Sequence, residues 1–412
     1  MGRPLPRMRS TAGGAAVAIW CHCRVFSLRG TLFAYKPDGM ERAFILYLAA
    51  LIFLIIANAF PFLTLKAQGM VQPSHLLSGA IDIARDGMPE VGIAVVLFVI
   101  GFPLAKILIG LAVVGPLAFG RRIVGANALY RLYERLHPWA MTEIFFLGVL
   151  VSYTKIINLA TVEIGPSLYA FMALILTMLA ADSAIDTHDV WERLQPSRAK
   201  ALPPAEEAEQ WVGCHTCQLL CHLPAESAHA KASCPRCGSS LHRRKHDSLN
   251  RTGALLLTAV LLYIPANVYP VMTFVSLGSG EPSTILAGVE ELIGAGMWPL
   301  ALIVFVASIL VPMLKLISMT YLVLSVRFGS RWHLRDRTVI YRLNELVGRW
   351  SMVDVFVVTL LAALVQLGSL ANIVPGAGIV AFAMVVMLTM TAALTFDPRL
   401  LWDAAGANHE RR

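Results

Sequence analysis

Two cysteine pairs carry the clearest chemistry in this 412-residue chain. "CHTC" at Cys214–Cys217 and "CPRCG" at Cys234–Gly238 are two knuckles separated by residues 218–233. Four thiolates in that pattern suit a tetrahedral Zn2+ site, closed and with no open position for catalysis. The expected task is structural: to fold a small module with little core of its own. Redox chemistry at the two CxxC pairs is the competing reading. A disulfide scaffold is disfavoured by the odd total of seven cysteines, and reduced thiols agree with a cytoplasmic face. Cys221 falls outside the spacing, and His215 and His222 are alternative ligands or plain loop histidines.

The second candidate centre lies within apolar runs. Lys106 and Lys315 each follow a proline by three residues, in "PLAK" and "PMLK". An ammonium in hydrocarbon is costly unless it is paired, hydrated or reaching for the interface. The acids at the start of the next helix, Glu143 and Asp354, are the expected partners. The second half has more polar groups. Ser308 lies seven residues before Lys315, Ser351 three before Asp354, and Thr389 sits within the last helix, so all can join a polar transport cluster. At the matched positions the first half has Val99, Ala140 and Met178. Ordinary helix–helix hydrogen bonding is the plainer reading of those hydroxyls. Ser308 and Lys315 stand about 10 Å apart along a helix axis, too far for a nucleophile–base pair, which argues against an enzyme. Asn58 and Asn267 precede Pro61 and Pro270 and are expected to bond backbone groups freed by those prolines, or to line a broken helix. Lys155 and Gln366 are matched polar residues in the third helices.

Those residues must be positioned by membrane helices. The chain is 57% hydrophobic and 15% charged, below the roughly 25% of soluble proteins. The apolar residues cluster into eight expected spans: Phe44–Leu65, Val91–Val114, Ile144–Val162, Leu168–Ala184, Gly253–Val275, Leu300–Val326, Val355–Ile373 and Ile379–Phe396. The formal charge of +8 lies in the connecting loops, not in a nucleic-acid-binding patch. Arg121, Arg122, Arg131 and Arg135 mark one loop; Arg327, Arg331, Arg335, Arg337, Arg342 and Arg349 mark another. The intervening segments are poor in lysine and arginine, so both termini and the cysteine module are expected in the cytoplasm. Asp186–Trp191 and "FDPRLLW" at Phe396–Trp402 are expected at the interface, with tryptophans at head-group level.

The two halves repeat. "ANAFP" at Ala57–Pro61 matches "ANVYP" at Ala266–Pro270, and Lys106 matches Lys315, at one constant offset of 209 (266 less 57). After two extra residues Trp139, Met141 and Glu143 match Trp350, Met352 and Asp354, at an offset of 211 (350 less 139). An even number of helices per unit makes this a parallel repeat. The expected architecture is an all-α polytopic membrane protein: two parallel four-helix transmembrane repeats with a cytoplasmic zinc-ribbon module between them. The divisions are 1–43, a degenerate N-terminal ribbon; 44–192, the first unit; 193–210, a linker; 211–246, the zinc ribbon; 250–403, the second unit; and 404–412, a tail. In the first division Cys21 and Cys23 lack a preceding knuckle, so that ribbon is either decayed or begun upstream of Met1.

The segments "CHTC…CPRCGSSL", "IPANVYPVM", "GMWPLALIVFVASILVPMLKL", "RWSMVDVFVVTLL" and "LTFDPRLLWD" resemble the paraquat-inducible protein A family of bacterial inner-membrane proteins. The resemblance runs from about Phe44 to Asp403 and departs only at the N-terminal ribbon. It implies a partner of periplasmic MCE-domain tunnel proteins that loads or unloads phospholipid between the two membranes and supports the envelope. The chain has no GxxxxGK[ST] phosphate loop, so movement would use a proton gradient or downhill flow. A self-contained proton- or ion-coupled small-molecule transporter is the alternative.

Overall fold

The computed structural model describes residues 38–195, 211–222 and 232–406, apart from short stretches within them, together with a hairpin of β1 (His22–Arg24) and β2 (Thr31–Ala34). Cys21 lies outside the described residues, as do Ser351, Gln366 and the side chains of Cys23, Lys155 and Asp354.

The first unit begins with α1 (Gly39–Ala59). Its buried residues, Met40, Ala43, Tyr47, Ala50, Leu54 and Ala57, recur every three or four positions. Ala43, Ala50 and Ala57 have little side chain, so a neighbouring helix can approach closely. That neighbour is α6 (Pro166–Ala184), which packs along α1. Ile45, Ile52 and Ile55 remain exposed on the other face, as a lipid-facing surface requires. Between them run β3 (Leu63–Ala67), β4 (Met70–Ser74), α2 (Ser78–Arg85), α3 (Pro89–Ala118), α4 (Ala126–Leu136), α5 (Thr142–Ile156) and β5 (Thr161–Ile164). The short α7 (Thr187–Leu194) closes the unit.

The same succession follows the cysteine module. It comprises α8 (Ser248–Val268), β10 (Met272–Ser276), β11 (Ser279–Ser283), α9 (Ile285–Gly294), α10 (Trp298–Arg327), α11 (Leu334–Gly348), α12 (Val353–Leu364), β12 (Ala371–Pro375), α13 (Gly378–Thr395) and α14 (Arg399–Gly406). In both second helices a π-helical turn precedes the proline, at Leu97–Gly101 and Val306–Leu310. Such turns absorb the hydrogen bond that proline cannot make, and they recur at functional sites. The seam between the units is α5 against α12. There Phe145 meets Phe356 edge-on at 5.5 Å, and Ser152 Oγ donates to the Val357 carbonyl at 3.4 Å.

Three expectations are corrected. The fold is mostly helical but not all-α, because each unit carries a three-stranded antiparallel sheet, in the orders β4-β3-β5 and β11-β10-β12. Apolar strands continuing directly from α1 and α8 read as helix by hydropathy. Six helices are long and apolar enough to cross a membrane among the described residues. The third helix of each unit is short, with 15 residues in α5 and 12 in α12. Part of the hydropathy attributed to each belongs to β5 and β12. Finally, Trp191 is fully buried edge-on against Tyr130 at 5.2 Å instead of lying at head-group level, whereas Trp402 is half exposed.

Pro61 and Pro270 lie just beyond α1 and α8 and turn the chain into the central strands. Their carbonyls abut Gly165 and Gly376, where an added Cβ would overlap the proline oxygen. Gly376 N donates to Val271 O at 2.8 Å and Gly378 N to Pro270 O at 3.0 Å, so this crossing is held by backbone. Gly376→Ala is expected to lower the thermal midpoint of the purified protein, by at least about 2 kcal/mol of stability. Gly253→Ala, where an added Cβ meets nothing, is the matched control. Equal midpoints for the two variants would contradict the close approach.

Candidate functional site

The described strands of the cysteine module are two hairpins, β6 (Trp211–Gly213) with β7 (Leu220–His222), and β8 (Ala232–Ser233) with β9 (Ser240–Leu241). Each presents one knuckle. Cys214 N donates to Leu219 O, and Gln218 N to Cys214 O; Cys234 N donates to Ser239 O, and Gly238 N to Cys234 O. The residue after each knuckle is left-handed, with φ 57° at Gln218 and 72° at Gly238. Glycine meets that demand without strain. The four sulfurs of Cys214, Cys217, Cys234 and Cys237 are buried and lie within 4.8 Å of one another. This set could hold one tetrahedral metal ion. Burial opposes ionisation of Cys234, but the N–H groups of Cys237 and Arg236 aimed at its sulfur bring it down to about 7. Burial pushes the Cys214 and Cys217 thiols up. A bound cation would reverse that. Cys221 is buried 4.0 Å from Cys234 and lies outside the four-sulfur set.

The module sits at the end of the bundle opposite the sheets and touches both units. Arg236, inside the second knuckle, donates to the Trp191 and Gln195 carbonyls at 3.1 Å each and pairs with Glu192 at 2.5 Å. It therefore caps the C-terminal end of α7, sharing the Trp191 carbonyl with the Gln195 N–H and adding a partner for the Gln195 carbonyl. On the other side Lys245 Nζ donates to Leu394 O at 2.6 Å and Phe396 O at 3.1 Å. Arg244 pairs with Asp403, and Lys245 N donates to Asp397.

The lysine centres differ sharply. Lys106 and Lys315 are both 3% exposed. Lys106 Nζ lies 2.6 Å from Asp182 Oδ2. The other carboxylate oxygen accepts from Tyr133 at 2.9 Å and Tyr47 at 3.4 Å, and those two hydroxyls are 2.7 Å apart. His137 Nδ1 is 3.9 Å from the same carboxylate. The expected Lys106–Glu143 pair is thus replaced by Lys106–Asp182, because α6 brings its acid to α3 near the cysteine end. Asp182 was missed, though a lone acid in the apolar run Pro166–Ala184 is itself a signal.

Carried by the repeat offsets into the second unit, Tyr47, Tyr133, His137 and Asp182 become Leu256, Asn344, Gly348 and Ala393. Lys315 therefore has no counterpart of Asp182. Among the described residues its hydrogen-bond partner is the Gly348 carbonyl at 3.5 Å. Nearby, Asn344 accepts from Ser318 at 2.9 Å, and its Nδ2 is buried without a partner among the described residues. Ser308 is buried in the π-helical turn, with no partner for its hydroxyl among the described residues. Thr389 is buried and donates to Val386 O in its own helix at 3.0 Å. Asn58 and Asn267 donate to Leu54 O and Tyr263 O, each one turn back, at 2.8 Å. They do not serve groups freed by Pro61 and Pro270; the Ala57 carbonyl, one turn before Pro61, accepts from Ser167 instead.

These features define a multi-pass membrane protein with two similarly ordered helical units and a buried four-thiol cluster. The model of the paraquat-inducible protein A family matches residues 40–195 and again 249–406, and the chain belongs to that family. It is 36% identical to the intermembrane transport protein PqiA of Escherichia coli K12 over 360 residues, 86% of this chain and 84% of that protein. It is 31% identical to the lipophilic envelope-spanning tunnel protein A of the same organism over 352 residues, 85% of this chain and 79% of the relative. A probable intermembrane transport protein of Haemophilus influenzae is 27% identical over 372 residues, 88% of this chain and 86% of the relative. No solved structure matches.

Proposed function

We propose that this protein is the inner-membrane component of an intermembrane lipid transport system, loading or unloading phospholipid for a periplasmic MCE-domain tunnel protein. Relatives named for intermembrane transport and for an envelope-spanning tunnel support the system. The observation that carries the working site is the contrast between Lys106, tied to Asp182, and Lys315, which has no such carboxylate counterpart. A lysine with a built-in counter-ion is a strut. A lysine whose partner among the described residues is a backbone carbonyl can exchange a proton or receive an anionic head group. Ser308, Lys315, Ser351, Asp354 and Thr389 form the transport cluster in this reading, and the second unit is the working half. The two units are parallel copies of one fold. The cysteine module is a zinc ribbon whose Zn2+ is structural, held by Cys214, Cys217, Cys234 and Cys237. The arginine-rich connections beside it favour a cytoplasmic module and cytoplasmic termini. The sheets then face the periplasm, where the tunnel partner waits.

Purification from native membranes in mild detergent, with mass spectrometry of bound proteins and lipids, tests this. The expected result is an MCE-domain protein together with phospholipid, above a matched membrane-protein control. Recovery of neither from folded protein would count against the conduit and favour a self-contained transporter.

A further inference from the structure

The second unit contains a cavity at the place where the first unit packs the ring of Phe62. This cavity of about 50 Å3 lies under β10 and β11, between α9, α10, α12 and α13, and opens on one side. Val271, Ile285, Val304, Val358 and Phe382 make its wall apolar. Its one deep polar group is Ser308, 1% exposed, whose hydroxyl has no partner among the described residues. A buried hydroxyl left unsatisfied is destabilising, so an occupant with an acceptor is favoured there.

The repeat explains the opening. Val271 stands where the first unit has Phe62, and Ser308 where it has Val99 (each 209 residues earlier). Phe62 is fully buried, 6.1 Å from the Phe145 ring and 6.0 Å from the Phe171 ring. The equivalents of those two rings, Phe356 and Phe382, remain in the second unit. Exchange of phenylalanine for valine therefore withdraws a ring from an otherwise conserved aromatic nest. At the same time a hydroxyl replaces an apolar side chain. Both exchanges suit a ligand that is a hydrocarbon chain carrying a hydrogen-bond acceptor.

We propose that this cavity holds the ester end of one acyl chain of a phospholipid, with the ester carbonyl accepting from Ser308 Oγ and the rest of the chain leaving through the open side. The assignment rests on the lipid-transport reading and gives it a place: the sheet end of the second unit, one π-helical turn and seven residues from Lys315.

The test uses the full chain in vesicles of phosphatidylethanolamine and phosphatidylglycerol that contain a phosphatidylcholine with a diazirine on one acyl chain. After irradiation, labelled peptides are mapped by mass spectrometry. The expected label falls on the peptides of the cavity wall. Val271→Phe, which copies the first unit, should reduce it about fivefold. Label at the outward-facing Leu257 and Leu261 should not change. Gly288→Leu fills the same space from α9, where an added Cβ meets only Ser283 Oγ at 3.8 Å, and guards against misfolding of the first variant. Cavity label that survives both substitutions overturns the proposal. Label from a diazirine fatty acid but not from the phospholipid overturns the phospholipid source. Ser308→Val should erase any preference for ester-linked over ether-linked probe; an unchanged preference removes the serine from the site. Transfer to a partner is scored separately. Cavity labelling without transfer would refute the transport reading and retain the lipid site, and transfer without filler-sensitive labelling would do the opposite.

Discussion

Lys315→Met is expected to abolish lipid transfer while the protein remains folded and inserted, whereas Asp182→Asn is expected to damage the fold first. The reason is the different company of the two lysines. At Lys106 the carboxylate of Asp182 neutralises the ammonium and accepts from two tyrosine hydroxyls. Removing one member of a buried pair leaves an uncompensated charge and costs about 3–5 kcal/mol. The double variant Lys106→Met with Asp182→Leu should recover most of that loss, since apolar replacements of both partners are often tolerated. At Lys315 the described partner is a carbonyl at 3.5 Å. Deleting that ammonium removes a desolvated charge, so stability should hold within about 1 kcal/mol or rise. Thermal unfolding in detergent and lipid transfer in proteoliposomes, measured on the same preparations, separate the two effects. Full transfer by Lys315→Met would remove the second unit's lysine from the mechanism. A stable Asp182→Asn variant would show that the first pair is not a strut.

Much of this was legible in the residues, and the failures have identifiable physical causes. Cysteine spacing found the four-thiol set because ligand geometry is local: each knuckle closes within five residues. The lysines were legible because an ammonium in an apolar run is rare and costly. The repeat points to the matched acids Glu143 and Asp354 as their partners. The acid that reaches Lys106 is Asp182, whose second-unit counterpart is Ala393. A repeat displays what the halves share, whereas this centre is defined by what they do not. The strands were hidden for a different reason. Leu63–Ala67 and Met272–Ser276 follow their helices with no break in hydropathy, and it is pairing with distant β5 and β12 that makes them strands. Nothing in the spacing of the cysteines marks Arg236, because its burial depends on α7 ending beside the second knuckle.

Stripping the metal from the cysteine module, or Cys217→Ser, is expected to loosen the junction between the units without unfolding either helical bundle. Thiolate–metal bonds in small ribbons supply about 10–16 kcal/mol of folding free energy. The short hairpins here bury little besides the cysteines themselves. Without metal, burial holds the Cys214 and Cys217 thiols protonated and the knuckle turns lose their centre. Arg236 stands between Cys234 and Cys237, so its reach to Trp191 O, Gln195 O and Glu192 depends on the turn that a bound metal would close. Nine residues or fewer further on, Arg244 and Lys245 grip Asp403, Leu394 O and Phe396 O of the second unit. A metal held there would therefore act on both units through backbone carbonyls at helix ends. Limited proteolysis should show new cleavage within 211–246 after treatment with a strong chelator, while the fragments 38–195 and 248–406 stay protected in detergent. Arg236→Ala should weaken the same junction with metal still bound, and metal content measured on the purified variant distinguishes the two routes. Unchanged cleavage after complete metal removal would show that packing alone holds the module, and the four sulfurs would then need another explanation.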